Sequence, residues 1–246
     1  MKVSIITPCY NSKDKLLSTI QSVQSQTYKN YEHIIIDDCS PNFDFTFLEH
    51  LILDDSRIKL IKRTWNAGPA VTRNRGISEA KGKYIAFLDA DDLWNEDKLE
   101  KQIEFMESEN LSLSYSAYDV IDLDGQFMGL RTVPGSISYR DLLKSNKIGC
   151  LTAIYNKELL GKVYMPNIGK RQDLGLWLEI LRNGNVAKGL NVPLAKYRVG
   201  GASLSSNKLG VLKYQWRLYR EVENLGLFSS MYYFIHYAVN GVMRKH

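Results

Sequence analysis

Four stretches of this 246-residue chain bring charged side chains together where they could do chemistry. In KYIAFLDADDLW, which begins at Lys83, an apolar run stops abruptly at Asp89, Asp91 and Asp92. Carboxylates so close repel one another until a cation sits between them. An oxygen-only set suits Mg2+ or Mn2+, which keep coordination places for phosphate oxygens. The same residues would also serve as a phosphate-accepting nucleophile or as a capped helix start. A calcium EF-hand is excluded, because the glycine and the closing glutamate are missing. Asp37-Asp38, ahead of Cys39-Ser40-Pro41, reads as an Asx-type turn or as acceptors for a base or ribose. NAGPAVTRNRG, from Asn66, places Arg73 and Arg75 after a Gly-Pro start, either as a solvated face or as planar donors to phosphate. Asp173, in RQDLGLWLEIL, is an N-cap or a general base.

These residues need elements to hold them. The pattern predicts strands over 3–7, 33–37, 58–61 and 84–88, alternating with helices over 12–26, 45–53 and 69–80. The strands are near-continuous apolar runs, as in a sheet covered on both faces, and the alternation implies parallel βαβ units. Ligands then sit beyond the C-terminal strand edge. Pro8-Cys9-Tyr10-Asn11, Asp37-Asp38-Cys39-Ser40 and Asp89-Ala90-Asp91 would share that rim. Further on, a helix is expected from 95–97 to about 109, and a hairpin turning at Asp124-Gly125. In the Asp173 stretch, Leu174, Trp177, Leu178 and Leu181 recur at helical spacing, with Gly184 just beyond.

Composition narrows the class. Hydrophobic residues make up 44% and charged residues 24%, which is ordinary for a globular chain. The net charge of +5 is too mild for nucleic-acid binding, so no nucleic acid is expected, though anionic ligands or lipid would suit it. Cys9, Cys39 and Cys150 are odd in number and far apart, which favours a reducing cytosol over a disulfide framework. The N-terminal stretch lacks the pattern of a signal peptide. The four histidines have no metal spacing, and no nucleophile elbow is present.

Taken in order, VSIITPCYNS, IIIDDCSP, NAGPAVTRNRGISEAKGKYIAFLDADDLW, IGCLTA, RQDLGLWLEIL and YRVGGASLS resemble family-2 glycosyltransferases of the GT-A fold. The resemblance covers about residues 3–206. It implies a Rossmann-like α/β domain over 1–210 with a mostly parallel sheet flanked by helices. It further implies inverting transfer of sugar from a UDP-sugar donor to a lipid-linked or polysaccharide acceptor, in O-antigen or capsule assembly. On this resemblance Thr7, Pro8, Tyr10 and Asn11 line the nucleotide pocket, Asp38 meets the uracil, and Asn66 and Arg73 lie near the base or phosphates. Asp89 and Ala90 flank the ribose and metal region, and Asp91 ligates Mn2+ or Mg2+. Asp173 is the base that takes the acceptor's proton, while Arg198 and Ser203 belong to a loop over the diphosphate. Two positions depart from the family pattern: Gln172 stands where many relatives have Glu, and Gly200 where many have His, leaving the metal to Asp91, diphosphate and water.

Two rivals remain open from the residues themselves. An aspartate-nucleophile phosphatase would carry its D-x-D on the first strand, whereas this one ends in Thr7-Pro8-Cys9. A catalytically dead nucleotide-binding scaffold would bind donor without transferring sugar. The helical tail, 211–246, is rich in aromatic and basic residues but too polar to span a bilayer. It is expected either to pack on the domain or to lie at a membrane surface, which would make the protein cytoplasmic and peripheral to the inner face of the membrane.

Overall fold

The computed structural model describes residues 2–41, 45–200 and 208–243. Its first half consists of β1 (Val3–Cys9), α1 (Lys13–Gln24), β2 (Tyr31–Asp37), α2 (Thr46–Asp54), β3 (Ile58–Lys62), α3 (Pro69–Glu79) and β4 (Tyr84–Phe87). β1 pairs in parallel with β2 and β4, and β2 with β3, so the expected βαβ half is present. β1, β2 and β4 are covered on both faces, which explains their unbroken apolar runs. Gly76 allows α3 to lie close on this sheet, because a Cβ there would sit 2.5 Å from Ile6 Cγ2 and 2.9 Å from Ile36 Cδ1.

The second half is less regular: β5 (Leu93–Trp94), α4 (Lys98–Ser108), β6 (Leu113–Ile121), β7 (Phe127–Arg131), β8 (Ser136–Ile137), α5 (Tyr139–Lys144), a 3-10 turn (Cys150–Thr152), β9 (Ile154–Asn156), α6 (Lys157–Leu160), α7 (Gln172–Leu181) and β10 (Ala187–Arg198). The main sheet runs β3-β2-β1-β4-β9-β6-β10-β5, with β7 beside β6 and β8 beside β10. β6 and β10 are parallel, while β9 joins the halves by antiparallel pairing with β4 and β6. The hairpin turning at Asp124-Gly125 is β6–β7.

The tail forms α8 (Lys208–Arg217), a π-helical turn (Leu218–Val222) and α9 (Leu227–Met243). It does not stand apart from residues 1–210. Leu218 and Tyr219 are fully buried in the core that also holds Trp177, Leu178 and Phe87, and the Tyr219 hydroxyl donates to the Leu143 carbonyl.

Candidate active site

The parallel strands deliver their C-terminal ends to one rim. Asp38 N donates to the Cys9 carbonyl at 2.9 Å, and Leu88 N to the Ile6 carbonyl at 3.0 Å, so the three strand ends leave the sheet as neighbours. Three of the crowded carboxylates on this rim have different fates. Asp89 forms an ion pair with Arg73, whose buried guanidinium projects from α3. Burial works against the Arg73 charge, but Asp89, with Asp173 farther off, outweighs it and raises the guanidinium pKa. Asp92 is buried and accepts the Arg198 backbone N–H at 2.9 Å. Burial, with repulsion from Asp89 and Asp91, pushes its carboxyl well above the ordinary range. Asp91 is exposed, and no ion pair engages it among the described residues. Although the residue reaches solvent, its carboxyl is crowded among the rim groups, and partial loss of hydration with the neighbouring Asp89 charge raises its pKa as well.

The segment holding Asp91 is fixed from both sides. Thr19 Oγ1, on α1, donates to the Asp92 carbonyl at 2.9 Å. Arg198, the last residue of β10, donates through Nε to the Asp91 carbonyl at 2.9 Å, and through an Nη to the carbonyls of Asp122 and Leu123. Arg198 therefore lies beside the metal-binding candidate, but here its guanidinium ties the β6–β7 turn to the Asp91 segment. Ser203 lies outside the described residues. Gly200 has a φ of 115°, and a Cβ there would meet Leu123 Cγ at 2.9 Å. A side chain at position 200 would therefore be strained in this backbone.

The rim near β1 and β2 is knitted together by short polar contacts. Asn11, with a φ of 51°, donates its N–H to Ser40 Oγ at 2.9 Å, and Ser40 Oγ donates to Asp37. Asp38 accepts the backbone N–H groups of Ala67 and Gly68 at 3.1 and 2.8 Å, with Arg63 alongside. It anchors the loop carrying exposed Asn66 and leading into α3. It is only 4% exposed and these contacts take up both of its oxygens, so it holds this loop in place and does not present the free acceptor to the uracil that was expected. Tyr10 is 47% exposed at the end of β1, with Pro8 partly covered and Ala90 buried. Thr7 departs from expectation. It is fully buried and its hydroxyl bonds His33 Nε2 at 2.8 Å, one layer beneath the rim, so its side chain does not line an open pocket.

Asp173 lies in the first turn of α7, where Asn146 Nδ2 donates to it at 3.3 Å. Arg171, just before α7, has a φ of 69° and its guanidinium reaches the Tyr237 hydroxyl on α9. Gln172 is buried, and its Nε2 donates to the Gly169 carbonyl at 3.1 Å. An ionised Glu in that place could not donate this bond. The charges of Asp89 and Asp173 both act on Arg73 and Cys150, so the base candidate and the D-x-D share one electrostatic neighbourhood.

Sequence reasoning did not assign Asn146 or Asp92 a role. Asp92 was visible in the D-x-D-D itself, whereas Asn146 has no local signature and meets Asp173 only through the fold. Among the described residues, no three His, Cys, Asp or Glu side chains make a complete metal cage. The donor set at Asp91 is a carboxylate beside another carboxylate, suited to a hard divalent cation whose coordination is completed by substrate oxygens.

Comparison with known proteins fits this geometry. The family described as Glycosyl transferase family 2 matches residues 4–160. The chain is 41% identical over 244 residues to the putative teichuronic acid biosynthesis glycosyltransferase TuaG of Bacillus subtilis (strain 168), covering 99% of this chain and 97% of the relative. It is 40% identical over 247 residues to UDP-Glc:alpha-D-GlcNAc-diphosphoundecaprenol beta-1,3-glucosyltransferase WfgD of Escherichia coli, covering 99% and 94% respectively. Among solved structures, S. aureus TarS 1-349 in complex with UDP-GlcNAc superposes with a TM-score of 0.73 at 19% identity, covering 97% of this chain and 72% of that one. The mannosyltransferase PcManGT from Pyrobaculum calidifontis, in complex with GDP-Man and Mn2+, gives 0.69 at 16%, covering 92% and 65%. At these identities the structural matches speak to the fold, which is of the GT-A type.

Proposed function

The chain belongs to glycosyl transferase family 2, and from that premise we propose that it transfers a sugar, with inversion, from a UDP-sugar to a hydroxyl of a lipid-linked acceptor in cell-surface polysaccharide assembly. The observation that carries the mechanism is the division of labour among the carboxylates: Asp89 neutralised by Arg73, Asp92 taken up by the β10 backbone, and Asp91 left exposed. Asp91 would hold Mn2+ or Mg2+, which when bound supplies positive charge against the diphosphate. Arg73 holds Asp89 in place and keeps a fixed positive charge below the phosphates. Tyr10, Pro8, Asn11 and Asn66 border the nucleoside, with Asp38 fixing the loop that carries Asn66. Asp173 accepts the proton of the attacking hydroxyl. As the new bond forms at the anomeric carbon, the bond to the diphosphate oxygen breaks and UDP departs with the electron pair. A single displacement requires no covalent intermediate, in keeping with the lack of a nucleophile motif.

The lipid-linked acceptor is drawn from the diphosphoundecaprenol named for the E. coli relative. The phosphatase alternative loses its ground because the D-x-D follows β4 and the family match is to glycosyltransferases. The direct test is incubation with UDP-sugars and a GlcNAc-diphosphate-lipid, with UDP release and product mass as readouts. Release that requires both donor and acceptor supports the reading. Absence of transfer from any UDP-sugar, despite normal UDP binding, would favour the scaffold reading.

A further inference from the structure

α9 has two apolar faces, and only one is used by the fold. Its inner side carries Tyr233 and Phe234 against the core, Tyr237 on Arg171, and Asn240, whose Nδ2 donates to the Lys144 carbonyl at 3.2 Å. On the other side Phe228, Met231, Tyr232, Ile235 and Val239 follow one another at helical spacing, and all are exposed, Phe228 by 88% and Ile235 by 60%. A helix packed only on its own domain would be expected to turn polar residues outward. Over its 17 residues α9 contains no Asp, Glu, Lys or Arg, so nothing charged interrupts that outer stripe.

The segment that carries the stripe is basic in sequence. The sequence from Lys208 to the end holds six Lys and Arg against two Glu, and so carries four of the chain's five net positive charges. Both glutamates are already bound: Glu221 to Arg217, and buried Glu223 to Tyr139 and Arg182. The segment as a whole is therefore net positive. Among the described residues no helix is long and apolar enough to cross a membrane. An uncharged stripe of aliphatic and aromatic side chains on a net-cationic segment matches the boundary between acyl chains and anionic headgroups.

We propose that the outer face of α9 docks the protein on an anionic lipid bilayer, with Phe228 and Ile235 at the centre of the inserted stripe. The purpose of such docking rests on the lipid-linked acceptor reading above, although the surface itself does not. The inner face of the same helix touches Arg171, two residues before Asp173, so seating α9 on lipid also fixes the base-bearing end of α7 relative to the membrane.

The test is co-sedimentation of the full chain with phosphatidylglycerol-containing vesicles and with pure phosphatidylcholine vesicles. It is repeated for the double variant Phe228→Ser with Ile235→Ser, alongside UDP calorimetry and sedimentation velocity. The wild type is expected to bind the anionic vesicles, less strongly at high salt, and the double variant to lose about tenfold or more in partitioning while UDP binding is unchanged. The proposal is overturned if the wild type stays in the supernatant or the variant binds as well as the wild type. It is equally overturned if the substitutions split a dimer, which would make the stripe a contact between copies. UDP binding reports on the donor site independently, so loss of vesicle binding alone leaves the proposed active site standing.

Discussion

The donor rim and the Asp173 region meet in one site but are built differently. At the donor rim the functional groups lie within a few residues of the ends of β1, β2 and β4, and the backbone ladder itself brings them together. Around Asp173 the neighbours come from far along the chain: Asn146 from the loop after α5, Tyr237 from α9, and Arg73 from α3 acting at longer range. A parallel sheet edge places groups by topology, whereas the base depends on helices held in place by packing. The first arrangement takes its placement from the strand ends, with Thr19 and Arg198 bracing the Asp91 segment, while the second takes its placement from distant packing alone.

The largest expected effect follows from that contrast. Asp173→Asn removes the proton acceptor and leaves the donor rim alone, so transfer should fall by about 100-fold to 10,000-fold with UDP affinity unchanged. Transfer assays beside calorimetry would check this, and an equal loss of both would mean that the two regions are not separable. Arg73→Gln crosses the boundary between them. It leaves Asp89 beside Asp91 and Asp92 without its ion-pair partner, and a drop of about tenfold or more in UDP affinity is expected. Calorimetry again reads this out, and unchanged affinity would show that the pair serves only to hold α3.

A smaller effect concerns the layer beneath the rim. Burial pulls the His33 pKa down to about 3 from an ordinary 6.5. Between those values the unfolded chain binds a proton that the folded chain refuses, so this group makes stability fall as pH drops from about 6.5 towards about 3. His33→Gln should remove that contribution, worth about 2 kcal/mol as the pH falls from about 6.5 to about 4.5, seen as a shallower acid limb in denaturant titrations. Identical limbs for the two proteins would place the acid sensitivity elsewhere.

How far the sequence could be read follows the same division. Strand–helix alternation made the parallel half legible, and with it the rim carrying Asp38, Asp89 and Asp91, because each motif sits at the end of its own apolar run. α7 was legible from its helical spacing. β5, β8, β9 and the long β10 were not identified, since β5 and β8 have two residues each, β9 has three, and Asn191 and Pro193 break the run of β10, where its register shifts. Thr7 was placed in the pocket on the family resemblance, but its hydroxyl is drawn inward by His33, 26 residues away. Arg198 was expected over the diphosphate, yet three backbone carbonyls collected by the fold claim its guanidinium. The tail was posed as a choice between packing on the domain and lying on lipid. α9 has separate faces available for both, which composition alone could not separate.

The exposed carboxylate of Asp91 is the centre of the account, and calorimetry of UDP, GDP and CDP with and without Mn2+, on wild type and Asp91→Asn, tests it most directly. UDP-selective binding that Mn2+ strengthens is expected in the wild type, with the metal's contribution lost in the variant. Binding that is equal for all three nucleotides and indifferent to Mn2+ and to the substitution would contradict it.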